Sequence, residues 1–250
     1  LFVADTLNNR VLIWNTIPDS NGAPADFVLG QPGFNVLPDA DPVTALQRVS
    51  ATTLYTPVSV SSDGQRMYVA DLAYDRVLIW NSIPTSSGQP ADVAIGQPDM
   101  NSYGANNVTK MCEAAGTDDE GNLLYPARCG GTLDTPRFVL SDGQRLYIAD
   151  TGNDRVLVFN SIPAVNGQSA DVVLGQQTLL SNQSSDVDEL HIASADSLRG
   201  PLGLAWDGAN LYVSDPYNRR ILVFTPAEPS IPYTGVRNSA SRSVHAVGTL

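Results

Sequence analysis

An aspartate and an arginine five residues apart recur four times in the chain: Asp5 and Arg10, Asp71 and Arg76, Asp150 and Arg155, Asp215 and Arg220. A carboxylate and a guanidinium at one fixed spacing suit two kinds of chemistry. Four such carboxylates in a ring would suit proton transfer or cation binding. Alternatively, each aspartate caps its own turn and each arginine ties that turn to a nearby carboxylate or carbonyl. The second reading is preferred, because catalysis needs asymmetry and these pairs are alike, and no catalytic residue is assigned. Two acidic loops are weaker calcium candidates: Asp118, Asp119 and Glu120 in GTDDEGN, and Asp186, Asp188 and Glu189 in SSDVDEL. Neither has the alternating acidic spacing of a dedicated calcium loop. Solvated acidic loops are the expectation for both, and no other cofactor is expected. His191 and His245 are the only imidazoles, too few for a histidine-rich metal centre. Neither a nucleophile-elbow serine motif nor a glycine-rich phosphate loop occurs.

Both cysteines, Cys112 and Cys129, lie in the polar stretch NNVTKMCEAAGTDDEGNLLYPARCGG. A zinc site would need two further ligands nearby, and a catalytic thiol would need a base. A disulfide is the expected state. Closing a loop of this size is worth about 3 kcal/mol in the chain-entropy description. A disulfide in turn implies an oxidising compartment.

The elements that must hold these residues come from the repeat. LFVADTLNNRVLIWN, MYVADLAYDRVLIWN, LYIADTGNDRVLVFN and LYVSDPYNRRILVFT begin at Leu1, Met67, Leu146 and Leu211. Self-similarity at such a period marks arrays and propellers. In the last three units a short strand precedes the copy, turning at Asp63-Gly64, Asp142-Gly143 or Asp207-Gly208. A polar turn then leads to a third strand. After a Pro/Gly/Ser/Asn connection, ADFVLGQP, ADVAIGQP or ADVVLGQQ supplies a fourth strand in the first three units. The run Val77-Leu78-Ile79-Trp80 is apolar on consecutive positions. A strand with one wet face alternates, so a continuous run implies cover on both faces. The fold class is therefore all-β: a β-propeller of four-stranded antiparallel blades, with about four blades visible, which either close as a small ring or, as the missing first strand favours, belong to a larger, for example six-bladed, propeller. Trp14, Trp80 and Phe159 share one position and read as wedges between blades. Blades occupy 1–226. Residues 227–250 form a tail whose HAVGTL is a delayed last strand or the start of a following domain.

The pattern resembles NHL-repeat propellers, and bacterial extracytoplasmic ones most of all. It covers most of the chain; the segment after Phe224 departs from it. Propeller enzymes of similar fold include an amidating lyase and metal-dependent lactonases, so the resemblance implies either a scaffold or an enzyme working in the central channel.

A net charge of −12 opposes phosphate backbones and anionic membrane surfaces, so neither nucleic acid nor a membrane is an expected partner. Long connections at 33–54, 99–132 and 178–198 should cluster on one face and carry contacts. Tyr55, Tyr103 and Tyr125 lie in or beside them. Asn107 and Asn182 match glycosylation acceptors. The expectation is a non-enzymatic binding or scaffold module of a secreted, surface or periplasmic protein. Its partners would be a protein or another extracellular ligand, within a larger chain or assembly. The alternative is a metal-dependent lyase or hydrolase at the central channel, marked by unlike polar residues at the channel mouth.

Overall fold

The computed structural model describes residues 1–36, 48–182 and 193–225, and the backbone alone of 236–238 and 244–245. Its strands form four sheets in chain order, with a small hairpin beside them. The first sheet holds β1 (Phe2–Asp5), β2 (Arg10–Ile13) and β3 (Phe27–Leu29). The second holds β4 (Pro57–Ser62), β5 (Met67–Asp71), β6 (Arg76–Trp80) and β7 (Val93–Ile95). After the helical turn α1 (Val108–Met111), β8 (Gly116–Thr117) and β9 (Leu123–Leu124) pair as a two-stranded hairpin. The third sheet is β10 (Pro136–Ser141), β11 (Leu146–Asp150), β12 (Arg155–Phe159) and β13 (Val172–Leu174). The fourth is β14 (Leu204–Trp206), β15 (Leu211–Asp215), β16 (Arg220–Phe224), β17 (Val236–Asn238) and β18 (Val244–His245). Every pairing within the sheets is antiparallel. In the fourth unit β17 takes the fourth-strand place, and β18, which shares only His245 with HAVGTL, follows as a fifth.

The Asp-Gly turns are closed by their own carboxylates. Asp63 Oδ1 accepts from the backbone N–H of Gln65 (2.9 Å) and Arg66 (2.6 Å), and Asp63 Oδ2 from the Tyr68 hydroxyl (2.7 Å). Asp142 and Asp207 repeat this, with Tyr147 and Tyr212. Both backbone polarity and register are thereby fixed at each turn.

Successive sheets stack face to face. The first strands approach one another, β4 against β10 and β10 against β14. Val139 N–H even reaches Ser59 Oγ at 3.4 Å. The outer strands splay apart, and loops bridge them. Gly88 N–H donates to Val28 O (2.9 Å) while Val28 N–H donates to Ser87 Oγ (3.1 Å). One blade later, Gly167 N–H donates to Ala94 O (2.9 Å) and Ala94 N–H to Asn166 Oδ1 (2.9 Å). Each such loop satisfies the exposed edge of the preceding blade's fourth strand, which otherwise invites foreign pairing. This radial splay is that of β-propeller blades.

Three apolar layers lie between the four sheets. Every residue of β5, β6, β11 and β12 is buried, so both inner blades are covered on both faces. Trp80 and Phe159 are 1% and 0% exposed. In β2 and β15, by contrast, burial alternates along the strand, because one face of each terminal sheet is only partly covered. Gly96 shows how tight the packing is. Its φ is +93°, and a Cβ there would stand 2.7 Å from Asp75 O and from Leu133 Cδ1, so only glycine fits.

Cys112 and Cys129 are joined, with Cα atoms 5.8 Å apart. Among the described residues no helix is long and apolar enough to cross a membrane.

Candidate functional site

The recurring Asp–Arg pairs form the last rung between the second and third strands of every sheet. Arg76 Nε donates to Asp71 Oδ2 at 2.8 Å and Arg155 Nε to Asp150 Oδ2 at 2.7 Å, with all four side chains fully buried. Arg10 to Asp5 (2.7 Å) is about a quarter exposed on each side, and Arg220 to Asp215 (2.7 Å) lies between these extremes. The remaining guanidinium donors meet carbonyls. Arg155 reaches Leu179 O (2.7 Å), Cys129 O (3.0 Å) and Thr132 O (2.9 Å). Arg76 reaches Met100 O, Ser50 O and Thr53 O. One detail corrects the sequence reading: the aspartates make no side-chain cap on their own turns. Their free oxygen crosses to the incoming connection instead. Asp71, Asp150 and Asp215 Oδ1 accept the N–H of Tyr55 (2.6 Å), Asp134 (2.8 Å) and Arg199 (2.8 Å). Each pair thus clamps a connection to its blade.

That clamp positions the site. Leu54-Tyr55-Thr56-Pro57, Leu133-Asp134-Thr135-Pro136 and Leu198-Arg199-Gly200-Pro201 hold equivalent places, at the start of the innermost segment of each blade. The leucine is buried in all three. The next slot holds a phenol, a carboxylate and a guanidinium on three successive blades, none of them buried. The three groups stand at the same end of three successive blades, at the mouth of the stack. Their unlikeness departs from the symmetry that the rest of the scaffold keeps.

The surroundings differ from blade to blade as well. Tyr74 lies between Tyr55 (centroids 5.4 Å) and Tyr103 (6.0 Å), tilted about 50° to each, with the Arg76 guanidinium 5.0 Å from its ring. Tyr103 is 61% exposed. In the third blade Asn153 takes Tyr74's place. It exchanges two 3.0 Å hydrogen bonds with Asn106 and accepts from Arg128 Nη1 at 2.8 Å. Asn182 joins them through Arg128. In the fourth blade the Arg199 guanidinium lies 5.5 Å over the Tyr217 ring. Asp134 sits against Gly152, where a Cβ would stand 2.5 Å from its carboxyl carbon.

Asp75 carries the most telling electrostatics. It ends the turn Leu72–Tyr74 in the left-handed region at φ +50°, and its Oδ1 accepts Thr135 N–H at 2.8 Å. Burial pushes its pKa up to about 6; the Thr135 bond opposes this, and the carboxylates of Asp134, Asp150 and Asp71 add to it. Asp154, one blade on, is raised by burial too. Because the fold binds the Asp75 proton more tightly than the unfolded chain does, this group stabilises most at low pH. That contribution falls as pH rises from the ordinary carboxyl range through about 6. Asn9 fills the same place in the first blade and accepts Thr56 N–H at 2.8 Å, so asparagine keeps the bond. Asp75→Asn should therefore fold, and wild-type stability relative to it should drop by ~2 kcal/mol between pH 4 and 7. Urea unfolding of both proteins across that range checks the slope.

The acidic calcium candidates separate. Asp118 is committed to the β8–β9 hairpin tip: it accepts from Glu120 N–H (3.1 Å), Asn122 N–H (2.7 Å) and Asn122 Nδ2 (2.9 Å). Asp119 and Glu120 lie beside it. Asp186, Asp188, Glu189 and His191 lie outside the described residues, as does the side chain of His245. Among the described residues no three His, Cys, Asp or Glu side chains gather as a metal site. The sequence reading passed over Tyr55, Asp134 and Arg199 as a set. The signal was present in LYTP, LDTP and LRGP: one frame with three chemistries in the same slot.

No family model matches this sequence, and no curated protein matches it. Among solved structures it is similar to a putative 6-phosphogluconolactonase from Bacteroides uniformis, at TM-score 0.41 and 15% identity over 99% of this chain and 55% of that one. It is also similar to a periplasmic gluconolactonase from Pseudomonas aeruginosa, at TM-score 0.41 and 16% identity over 99% and 57%. For a virginiamycin B lyase from Staphylococcus aureus the values are 0.26 and 12%, over 71% and 72%. The chain spans a little more than half the length of the first two. Likeness at this level is one of general architecture.

Proposed function

We propose that this chain forms blades of an NHL-type, extracytoplasmic propeller that binds a small polar molecule at the mouth marked by Tyr55, Asp134 and Arg199. We further propose that it acts on that molecule as a hydrolase or lyase. The observation that supports this is the breaking of symmetry at one slot. Where the blades share a structural side chain they repeat it, as with Asp71, Asp150 and Asp215, whereas this slot carries three unlike polar groups. Arg199 would hold an anionic or carbonyl oxygen by charge-assisted hydrogen bonds. Tyr55 would stack on or hydrogen-bond the ligand body. Asp134 is the proton-transferring group of this reading, with Asp75 behind it as a carboxyl that changes charge near pH 6. The metal of the alternative reading finds no converged donor set among the described residues. The disulfide supports an oxidising location.

A panel of sugar lactones, the class named by two structural neighbours, is a practical first probe. Turnover is expected to follow a pH limb near 6. It should fall at least about 100-fold in Asp134→Asn, with thermal stability unchanged. Turnover that survives Asp134→Asn would overturn the assignment.

The binding-module reading has its own support. The solvent-facing Tyr55 and Tyr103, each tilted against Tyr74, form an aromatic patch that suits a ring or a peptide side chain. Binding without turnover, lost in Tyr103→Ala and kept in Asp134→Asn, would favour it.

A further inference from the structure

The connection between the second and third sheets carries an element that no blade uses. It is the longest of the three connections between blades. Residues 112–129 within it form a loop closed by the Cys112–Cys129 disulfide. Inside that loop β8 and β9 pair with each other alone among the described strands. No side chain between the two cysteines is buried, and none enters an apolar layer between sheets. Ala115 N–H donates to Leu124 O at 2.7 Å and Asp118 N–H to Asn122 O at 2.9 Å, so the hairpin is well formed. A lone two-stranded hairpin is marginal in water. This one is held at its base: Cys129 N–H donates to Thr132 Oγ1 at 3.1 Å, and Cys129 O accepts from the buried Arg155 at 3.0 Å. The staple therefore orders a hairpin that adds nothing to the core.

The surface of the hairpin narrows the occupant. Leu123 and Leu124 are neighbours on one strand and point to opposite faces. They are 58% and 49% exposed, so neither face of the ribbon is covered. The outer edge of each strand is open among the described strands as well, and such an edge accepts a further strand. Around the leucines stand Glu113, Asp118, Asp119 and Glu120, with no lysine or arginine from 113 to 127. Hydrogen bonds from Asn122 hold the Asp118 carboxyl below the usual range, so the tip stays charged in mild acid. The loop's arginine, Arg128, turns inward and donates to Asn153 Oδ1 at 2.8 Å. Like charge opposes a second copy of this hairpin and an anionic membrane. An extended segment that alternates cationic and apolar side chains matches both the open edge and the charge.

We infer that the β8–β9 hairpin is a docking element for another protein, which lays a basic, extended segment along the hairpin edge and seats apolar side chains on Leu123 and Leu124. The contact does not depend on what the mouth binds.

Peptide binding to the whole chain tests it. The probe is a fluorescent peptide of about eight residues alternating lysine and valine, the length of a short added strand. A lysine–serine peptide of the same charge and a glutamate–valine peptide serve as controls. The lysine–valine peptide should bind, and each control at least about tenfold more weakly, because each lacks one of the two matches. Leu123→Ser with Leu124→Ser should weaken binding at least about tenfold, with circular dichroism and the disulfide unchanged, since both leucines face solvent. Asp119→Lys with Glu120→Lys should weaken it too and flatten its salt dependence. Backbone amide shifts on binding should gather between Ala115 and Leu124. Failure of the lysine–valine peptide to bind, equal binding of the lysine–serine peptide, binding indifferent to either pair of substitutions, or amide shifts confined to the blades would overturn the proposal.

Discussion

Arg155→Ala is expected to destabilise the protein by about 3–5 kcal/mol, whereas Arg10→Ala should cost about 1 kcal/mol or less. The two arginines occupy the same place in their units and make the same 2.7 Å bond from Nε to an aspartate. They differ in what surrounds the bond. Arg155 is fully buried, and its loss leaves the Asp150 charge alone in a dry interior. It also removes the donor partner of Leu179, Cys129 and Thr132 carbonyls, loosening the disulfide-bearing connection that Cys129 anchors. Arg10 and Asp5 are each about a quarter exposed, so solvent partly screens the pair and hydrates Asp5 when the partner goes. Urea unfolding of both variants gives the comparison directly. Equal losses would show that burial does not set the worth of this pair. Because Arg155 also fixes Asp134, through Asp150 and its bond to Asp134 N–H, the mouth should lose its ligand affinity along with stability.

The second large effect concerns the wedge. Trp80→Ala should cost about 3–5 kcal/mol. The indole is 1% exposed between the first two sheets, and its Nε1 donates to Gln89 O at 3.0 Å. Truncation empties a volume bounded by β-sheet on both sides, which cannot collapse without moving a blade. Trp14, its counterpart, makes the same bond to Ala23 O at 3.1 Å but lies on a partly open face, so Trp14→Ala should cost markedly less. The denaturant midpoints of the two variants report the difference. If they coincide, the face carrying Trp14 is as well covered as the inner ones.

The repeat made the architecture legible. Four copies of one strand pair, with a continuous apolar third strand, leave little besides blades packed on both faces, and β5, β6, β11 and β12 are buried along their whole length. What the pattern could not show was the partly open side of the terminal sheets. RVLIWN and RILVFT read alike whether or not a neighbour covers them. The aspartates were legible as structural but not in their reach. A side chain that bonds the N–H of a residue sixteen places earlier, as Asp71 does with Tyr55, leaves no local signature. The mouth was hidden for the opposite reason. Tyr55, Asp134 and Arg199 differ so much that they look like loop variation until the fold makes them equivalent. Asp75 gains its proton affinity from burial and from carboxylates of two blades, which only the assembled sheets bring near it.

Crystallographic fragment screening of the wild-type protein is the most direct test of the account, since it presumes no substrate. Small polar fragments carrying a carboxylate or carbonyl should seat at the mouth, touching Arg199 together with Asp134 or Tyr55, and should disappear from it in crystals of Arg199→Ala. Fragments that gather elsewhere on the molecule and leave these three side chains untouched would contradict it.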